Sequence, residues 1–320
     1  MCCGRDVATE AQLKVVNLVI VQDLSRESAR CFHALRIPST LREMGVNELG
    51  PERAVRAAEA RRIADAASAL LLQLRAEASA APAFDPTDLR HEGDQRAHAL
   101  ITDQLRAAFP TDTILSEEAA DDETRLRADR VWIVDPLDGT REFGERDEHG
   151  VWRTDFAIHI ALWEKAHGLT VGVVALPARA LIVESESPPA MPAASTGSLR
   201  LAVSRSRPPA FIEAIAESGR ATLHPMGSAG VKATAVITGE VDAYVHSGGQ
   251  YQWDSAAPVA AALAAGYVAT RLDGSPLRYN VPDLLLPDLI ICHPARVDEL
   301  RALLNGAGVG SEGSAAESPR

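Results

Sequence analysis

A chain of 320 residues, 46% hydrophobic and 24% charged, has the composition of an ordinary globular protein and can bury one large core or fill two lobes. Lys+Arg 32 against Asp+Glu 44 leaves a net charge of -12, which argues against polymeric nucleic acid as the main partner but not against a small phosphorylated ligand whose charge a metal offsets. Cys2, Cys3, Cys31 and Cys292 close neither a zinc spacing nor a disulfide framework, the histidines show no paired ligand spacing, and Leu13–Val21 is too short to span a bilayer, so a reducing cytoplasm is the expected compartment.

Residues 1–48 carry no chemistry and read as an N-terminal extension or an over-long start, with Met44 as an alternative initiator. From Glu52, the helical spacing of Ile63, Ala67, Leu70, Leu71 and Leu74 predicts a long amphipathic helix. It fades into Ala/Pro-rich sequence over 79–86. A second helix is expected from Asp94, read as its N-cap, with Ala97, Leu100, Ile101, Leu105 and Ala108 facing the core and Pro110 ending it. A short strand at 113–115 then closes on Ser116-Glu117-Glu118.

Val131–Val134 reads as a buried strand that stops at Asp135, followed by Pro136-Leu137-Asp138-Gly139-Thr140. An Asp-Pro turn accounts for this equally well as a pair of carboxylates held toward one small volume. Strands are expected at 156–163, 169–176 and 180–183, joined by short turns into a largely antiparallel sheet. After a Pro/Ala/Ser-rich connection at 187–198, strands at 199–203, 222–225, 241–245, 267–272 and 288–293 alternate with helices at 209–217, 228–238, 254–265 and 295–304. That alternation predicts layered α/β packing. The Gly/Ser/Ala-rich tail holds Gly308-x-Gly310-x-x-Gly313, which has neither the strand nor the helix that a dinucleotide fingerprint requires. The expected division is thus an extension over 1–48, an α+β lobe over 49–190, an α/β lobe over 191–306 and a tail over 307–320.

Four acidic positions stand at strand ends or helix starts: Asp94, Glu117-Glu118, Asp135 with Asp138, and Asp254. Singly, Asp94 and Asp254 could be helix caps and the glutamates solvated loop charge. Together, an all-carboxylate set without His or Cys suits Mg²⁺ or Mn²⁺ rather than zinc.

Ile114-Leu-Ser-Glu-Glu118, Trp132-Ile-Val-Asp-Pro-Leu-Asp-Gly-Thr140 and Trp253-Asp254-Ser-Ala-Ala-Pro258, in that order, resemble the three linked motifs of the inositol-monophosphatase-like, magnesium-dependent, lithium-sensitive phosphatases. The resemblance spans residues 50 to 305. It implies a five-layered αβαβα sandwich of the inositol monophosphatase/fructose bisphosphatase type. It further implies that Glu117, Asp135, Asp138, Asp254 and the carbonyl of Leu137 hold two or more Mg²⁺ ions, with Mn²⁺ as a substitute, and that Glu118 supports them from behind. Thr140 and Asp94 match the pair that activates water for in-line attack. Gly139, Thr140, Gly227, Ser228 and Asp254 would contact substrate.

Arg141-Glu142-Phe143, Val203-Ser-Arg-Ser206 and Leu272-Asp-Gly-Ser-Pro-Leu-Arg-Tyr-Asn280 resemble the CysQ-type 3′(2′),5′-bisphosphate nucleotidases within that family. They imply hydrolysis of 3′-phosphoadenosine 5′-phosphate to AMP and phosphate, with Arg205 and Lys232 as cations for the second phosphate. Expected partners are that small substrate and at most a second copy of the chain in a homodimer. The alternatives are an inositol-1-phosphate or fructose-1,6-bisphosphate phosphatase, and a non-catalytic phosphate-binding regulatory protein. Two departures from the family pattern stand out. Phe84–Gly93 lacks the Lys-x-Asp-x-Ser loop, which bears on a third metal position and on lithium, and His246–Trp253 is longer than in the monophosphatases.

Overall fold

The computed structural model describes residues 50–309, apart from 82 and 207. The expected N-terminal extension over 1–48 lies outside the described residues, as does the tail from residue 310.

Helix α1, Pro51–Ala80, starts with proline in its first turn and buries Ala57, Ala60, Ile63, Ala64, Ala67, Leu71 and Leu74 along one stripe. Helix α2 runs Pro86–Ala108, two turns longer at its start than the sequence reading. Asp85, not Asp94, is its N-cap, and accepts the Thr87 N–H at 2.7 Å with Pro86 at the first helical position. Asp94 therefore projects from the helix interior, and the segment in place of the family's mobile loop is regular helix. Gly93 is what lets α2 seat closely: a Cβ there would stand 2.6 Å from the Phe143 ring.

The first sheet is β1 (Thr113–Ser116), β2 (Arg130–Asp138), β3 (Ala157–Glu164), β4 (Gly168–Leu176) and β5 (Leu181–Glu184), neighbours in chain order. Only the β1/β2 pair is parallel. The strand expected to stop at Asp135 continues to Asp138, with a register shift against β3 between those two residues. Side chains three apart on a regular strand point to opposite faces, and an irregularity of this kind is what lets both aspartates turn to one side. Helix α3, Thr140–Phe143, follows at once.

The second sheet contains β6 (Leu199–Ser204), β7 (Ala221–Met226), β8 (Ala243–Tyr251), β9 (Val268–Thr270) and β10 (Leu285–Cys292), in the order β7-β6-β8-β10-β9. Its helices are α4 (Ala210–Glu217), α5 (Ala229–Ile237), α6 (Gln252–Ala264) and α7 (Val297–Gly306). Helices α1 and α2 pack on one face of the first sheet, α5 and α6 touch both sheets, and α4 packs on β7 and α7. Three hydrophobic clusters fill the spaces between these layers. This is the αβαβα layering the sequence implies. Alanine-rich α6 suits the central layer: a Cβ on Gly172 of β4 would lie 2.6 Å from the Ala257 carbonyl, so helix and sheet are in backbone contact.

Candidate metal-carboxylate site

The bulged end of β2 buries Asp135 and Asp138, and the start of α6 brings Asp254 to them. Oxygen atoms of these three carboxylates lie within 4.8 Å of one another, a set that could hold a metal ion. Each is oriented by its backbone. Asp135 Oδ1 accepts the Leu137 N–H at 3.1 Å. Asp254, expected as an N-cap, is the third residue of α6 and reaches back to accept the Tyr251 N–H at 2.6 Å. Asp138 Oδ2 accepts the Gly230 N–H at 2.7 Å and the Ser228 hydroxyl proton, with His159 Nε2 at 3.3 Å. Both hydrogen bonds fall on Oδ2 and leave Oδ1 as the oxygen open to a cation.

Glu117 follows β1, whose parallel register sets Ser116 opposite Val134, so the glutamate is carried beside Asp135. Glu118 accepts from Gln95 Nε2 at 2.8 Å, on the exposed side of α2. The Thr140 hydroxyl lies 3.2 Å from Asp94 Oδ1 and 3.0 Å from the Leu137 carbonyl, and its single proton can serve one of them at a time. Gly139, at φ 88, makes the sharp reversal between β2 and α3 in the left-handed region that glycine favours. A Cβ there would also stand 2.7 Å from the Asp155 carbonyl.

Charge at this cluster is unbalanced. Burial, then repulsion from Glu117, Asp138 and Asp254, pushes Asp135 well above the usual carboxylate range. Burial and the Asp138 charge push Asp254 up to about 7. Glu117 is exposed by area, yet the protein packed around its carboxyl is the largest cause of its rise to about 7, ahead of crowding by Asp138, Glu118 and Asp94. Asp94 also rises to about 7, through burial and then the Glu118 charge. Asp138 alone goes the other way: burial would raise it, but His159, Lys232 and Ser228 hold it below its ordinary value. Among the described residues, no Lys or Arg forms an ion pair with Asp94, Glu117, Glu118, Asp135 or Asp254. A cluster of oxygen donors whose negative charge exceeds what the groups beside Asp138 offset has the chemistry that fits a hard divalent cation.

A pH dependence follows from these shifts. Groups whose folded pKa is raised bind more protons folded than unfolded between their ordinary values near 4 and their folded values about 7, so stability falls as pH rises through that window. Chelator-treated protein is therefore expected to lose about 5 °C or more in Tm between pH 5 and pH 7.5, and Mg²⁺ to restore it at pH 7.5. Thermal melts in both buffers check this. A metal-free Tm that rises over the interval would contradict it.

The remaining expected contacts fall differently. Gly227 and Ser228 form the turn before α5, with Ser228 at φ 52. Lys232, read from sequence as a cation for a phosphate, is buried and donates to the carbonyls of Gly227 at 3.3 Å and Ser228 at 2.5 Å. It clamps the turn, and burial lowers its pKa. Arg205 is already paired, with Glu142 at 3.1 Å and with Asp155, which also accepts the Gly227 N–H at 3.1 Å and pairs with Arg179 at 2.7 Å.

Sequence reasoning passed over His159, Gln95 and Asp155. Of these only His159 left a signal, a lone imidazole in the apolar run Phe156–Trp163. It is fully buried, with Nδ1 3.2 Å from the Trp253 carbonyl. A Cβ on Gly230 would stand 2.2 Å from its Nε2, so glycine is required where α5 meets the ring.

A model of the inositol monophosphatase family matches residues 52–304. The chain is 49% identical over 249 residues to the 3′-phosphoadenosine 5′-phosphate phosphatase of Mycobacterium tuberculosis, covering 75% of this chain and 88% of that protein. It is 32% identical over 200 residues to the 3′(2′),5′-bisphosphate nucleotidase CysQ of Escherichia coli, covering 58% of this chain and 78% of that one. Among solved structures it resembles CysQ from Bacteroides thetaiotaomicron, with TM-score 0.63, 27% identity, and 75% and 97% of the two chains covered.

Proposed function

The chain belongs to the inositol monophosphatase family, and from that premise we propose that it is a metal-dependent phosphomonoesterase that cleaves 3′-phosphoadenosine 5′-phosphate to AMP and phosphate. The 49% identity to a phosphatase named for that substrate supports the substrate. The observation that carries the chemistry is the carboxylate cluster beside the Thr140–Asp94 hydrogen bond.

In this reading Asp135, Asp138, Asp254, Glu117 and the Leu137 carbonyl hold Mg²⁺, two or more ions, with Mn²⁺ as substitute. When bound, the metal supplies Lewis-acid neutralisation of charge on the phosphate and leaving oxygens. The chain's own residues do the rest. Thr140 Oγ1 takes a proton from the attacking water while passing its own to Asp94 Oδ1, 3.2 Å away. The water oxygen forms the new P–O bond as the bond from phosphorus to the ribose oxygen breaks, and that oxygen takes up a proton from solvent water, while the proton on Asp94 returns to solvent. Glu118, held by Gln95, supports the cluster without touching the phosphate. Gly139, Thr140 and the Gly227–Ser228 turn face the phosphate, and Arg205 meets the second phosphate by exchanging one of its carboxylate partners. Among the described residues no helix is long and apolar enough to cross a membrane, and we place the enzyme in the cytoplasm.

A substrate panel tests the proposal. With Mg²⁺, kcat/KM for 3′-phosphoadenosine 5′-phosphate is expected to exceed that for inositol-1-phosphate and fructose-1,6-bisphosphate by about 100-fold or more, the discrimination a lost set of polar contacts gives. Preference for inositol-1-phosphate would overturn the substrate. No phosphate release from any of the three would overturn the reaction.

A further inference from the structure

A cavity of about 580 Å³ lies between the β3–β4 turn, α6 and the segment 276–281, and none of its lining residues belongs to the carboxylate cluster. The volume falls within the range of small-molecule pockets. Its walls combine the half-buried face of Trp163 with Leu169, Val259, Leu263 and Leu277, and Leu263 is 51% exposed. An exposed leucine on a cavity wall next to an indole is apolar surface without a cover.

The side chains of these walls include no acid. In a chain with a net charge of -12, no Asp or Glu lines this cavity, whereas Arg278 and His167 do. Arg278 is exposed and makes no ion pair or hydrogen bond among the described residues. It sits in Leu272–Asn280, a segment whose resemblance to the CysQ-type enzymes the carboxylate chemistry leaves without a use. The segment is held in place from behind: Tyr279 Oη meets Ser255 Oγ at 3.0 Å, and Asn280 Oδ1 accepts from buried Arg125 at 2.9 Å. The guanidinium is therefore carried on a fixed wall rather than on a free loop.

We infer that this cavity binds a small amphipathic anion, one or two apolar rings bearing a single carboxylate, sulfonate or phosphate group. The ring packs against Trp163 and Leu263, and the anionic group pairs with Arg278. A simple inorganic anion would leave the apolar walls wet, and a neutral ring would forgo the charge-assisted contact that Arg278 offers. The site is independent of the phosphatase reading.

Calorimetric titration of the full chain, with Mg²⁺ and saturating inorganic phosphate present, tests it with three probes: 1-naphthalenesulfonate, 1-naphthol and inorganic sulfate. One equivalent of the sulfonate is expected to bind about tenfold more tightly than the naphthol, as one charge-assisted contact would give, while sulfate gives no signal. Arg278→Gln should erase the difference between the two ring probes, and Leu263→Glu should abolish sulfonate binding. Both side chains are exposed, so an unchanged Tm and unchanged phosphate release show that each variant is folded. Absence of sulfonate binding, or binding unaltered by both substitutions, overturns the inference. So does equal binding of sulfonate and naphthol, which would mean an apolar surface with no role for the charge.

Discussion

Asp138→Asn is expected to abolish turnover, with kcat falling by well over the roughly 100-fold that disturbing a metal ligand's hydrogen-bond partner costs. Oδ2 of Asp138 already receives the Gly230 N–H and the Ser228 hydroxyl, with His159 beside it. An asparagine that keeps its carbonyl toward those donors puts its NH₂ group in the place of Oδ1. A donor then stands where a cation needs an acceptor, and one negative charge is gone from the cluster. The fold should survive, because the amide preserves shape and both hydrogen bonds, though buried Lys232 and His159 lose a nearby charge and a modest drop in Tm is expected. Circular dichroism melts and Mg²⁺ binding by calorimetry separate the two effects. Full activity in the folded variant at saturating Mg²⁺ would remove Asp138 from the ligand set.

Thr140→Ala is expected to lower kcat by about 10²- to 10³-fold, the usual worth of a positioned proton acceptor, with a smaller change in KM. Alanine keeps the start of α3 helical and leaves every carboxylate in place. What disappears is the hydroxyl between Asp94 Oδ1 and the Leu137 carbonyl. Mg²⁺ affinity should therefore hold while turnover falls, a split that a merely structural residue would not show. Thr140→Ser restores the hydroxyl and should recover most of the rate. If serine is no better than alanine, the relay through this oxygen is wrong and Asp94 acts without it.

Much of this site is legible in the chain because its residues sit at points where local rules speak. The apolar run at Leu115 marks the end of β1 and puts Glu117 just beyond it, whereas the run at Val134 marks where β2 turns irregular, the strand itself running on to Asp138. Where local signals compete, the reading slips. Asp85-Pro86 and Asp94 both look like helix starts, and the cap with proline behind it prevails because that pair satisfies the first turn and pre-sets its backbone. Asp254 reads as a cap for the same reason, although it stands inside α6 and caps backwards.

Pairing over long sequence distances is beyond such rules. Lys232 and Arg205 look alike as cations in the sequence. Lys232 is used inside its own turn. Arg205 is bound by two carboxylates 50 and 63 residues away. His159 shows in the chain only as a lone imidazole in an apolar run, and it is the antiparallel pairing of β3 with β2, setting it opposite Asp135, that brings it beside Asp138.

The sequence by itself places most of the elements and the layered class and singles out the carboxylates as candidates, because apolar periodicity and the order of three family-like motifs are properties of the chain alone. Tertiary structure decides which of those charges remain uncompensated. That turns on the β2 bulge setting Asp135 and Asp138 on one side, and on burial that leaves Asp135 and Asp254 without a protein counter-ion while giving Asp138, Lys232 and Arg205 partners of their own.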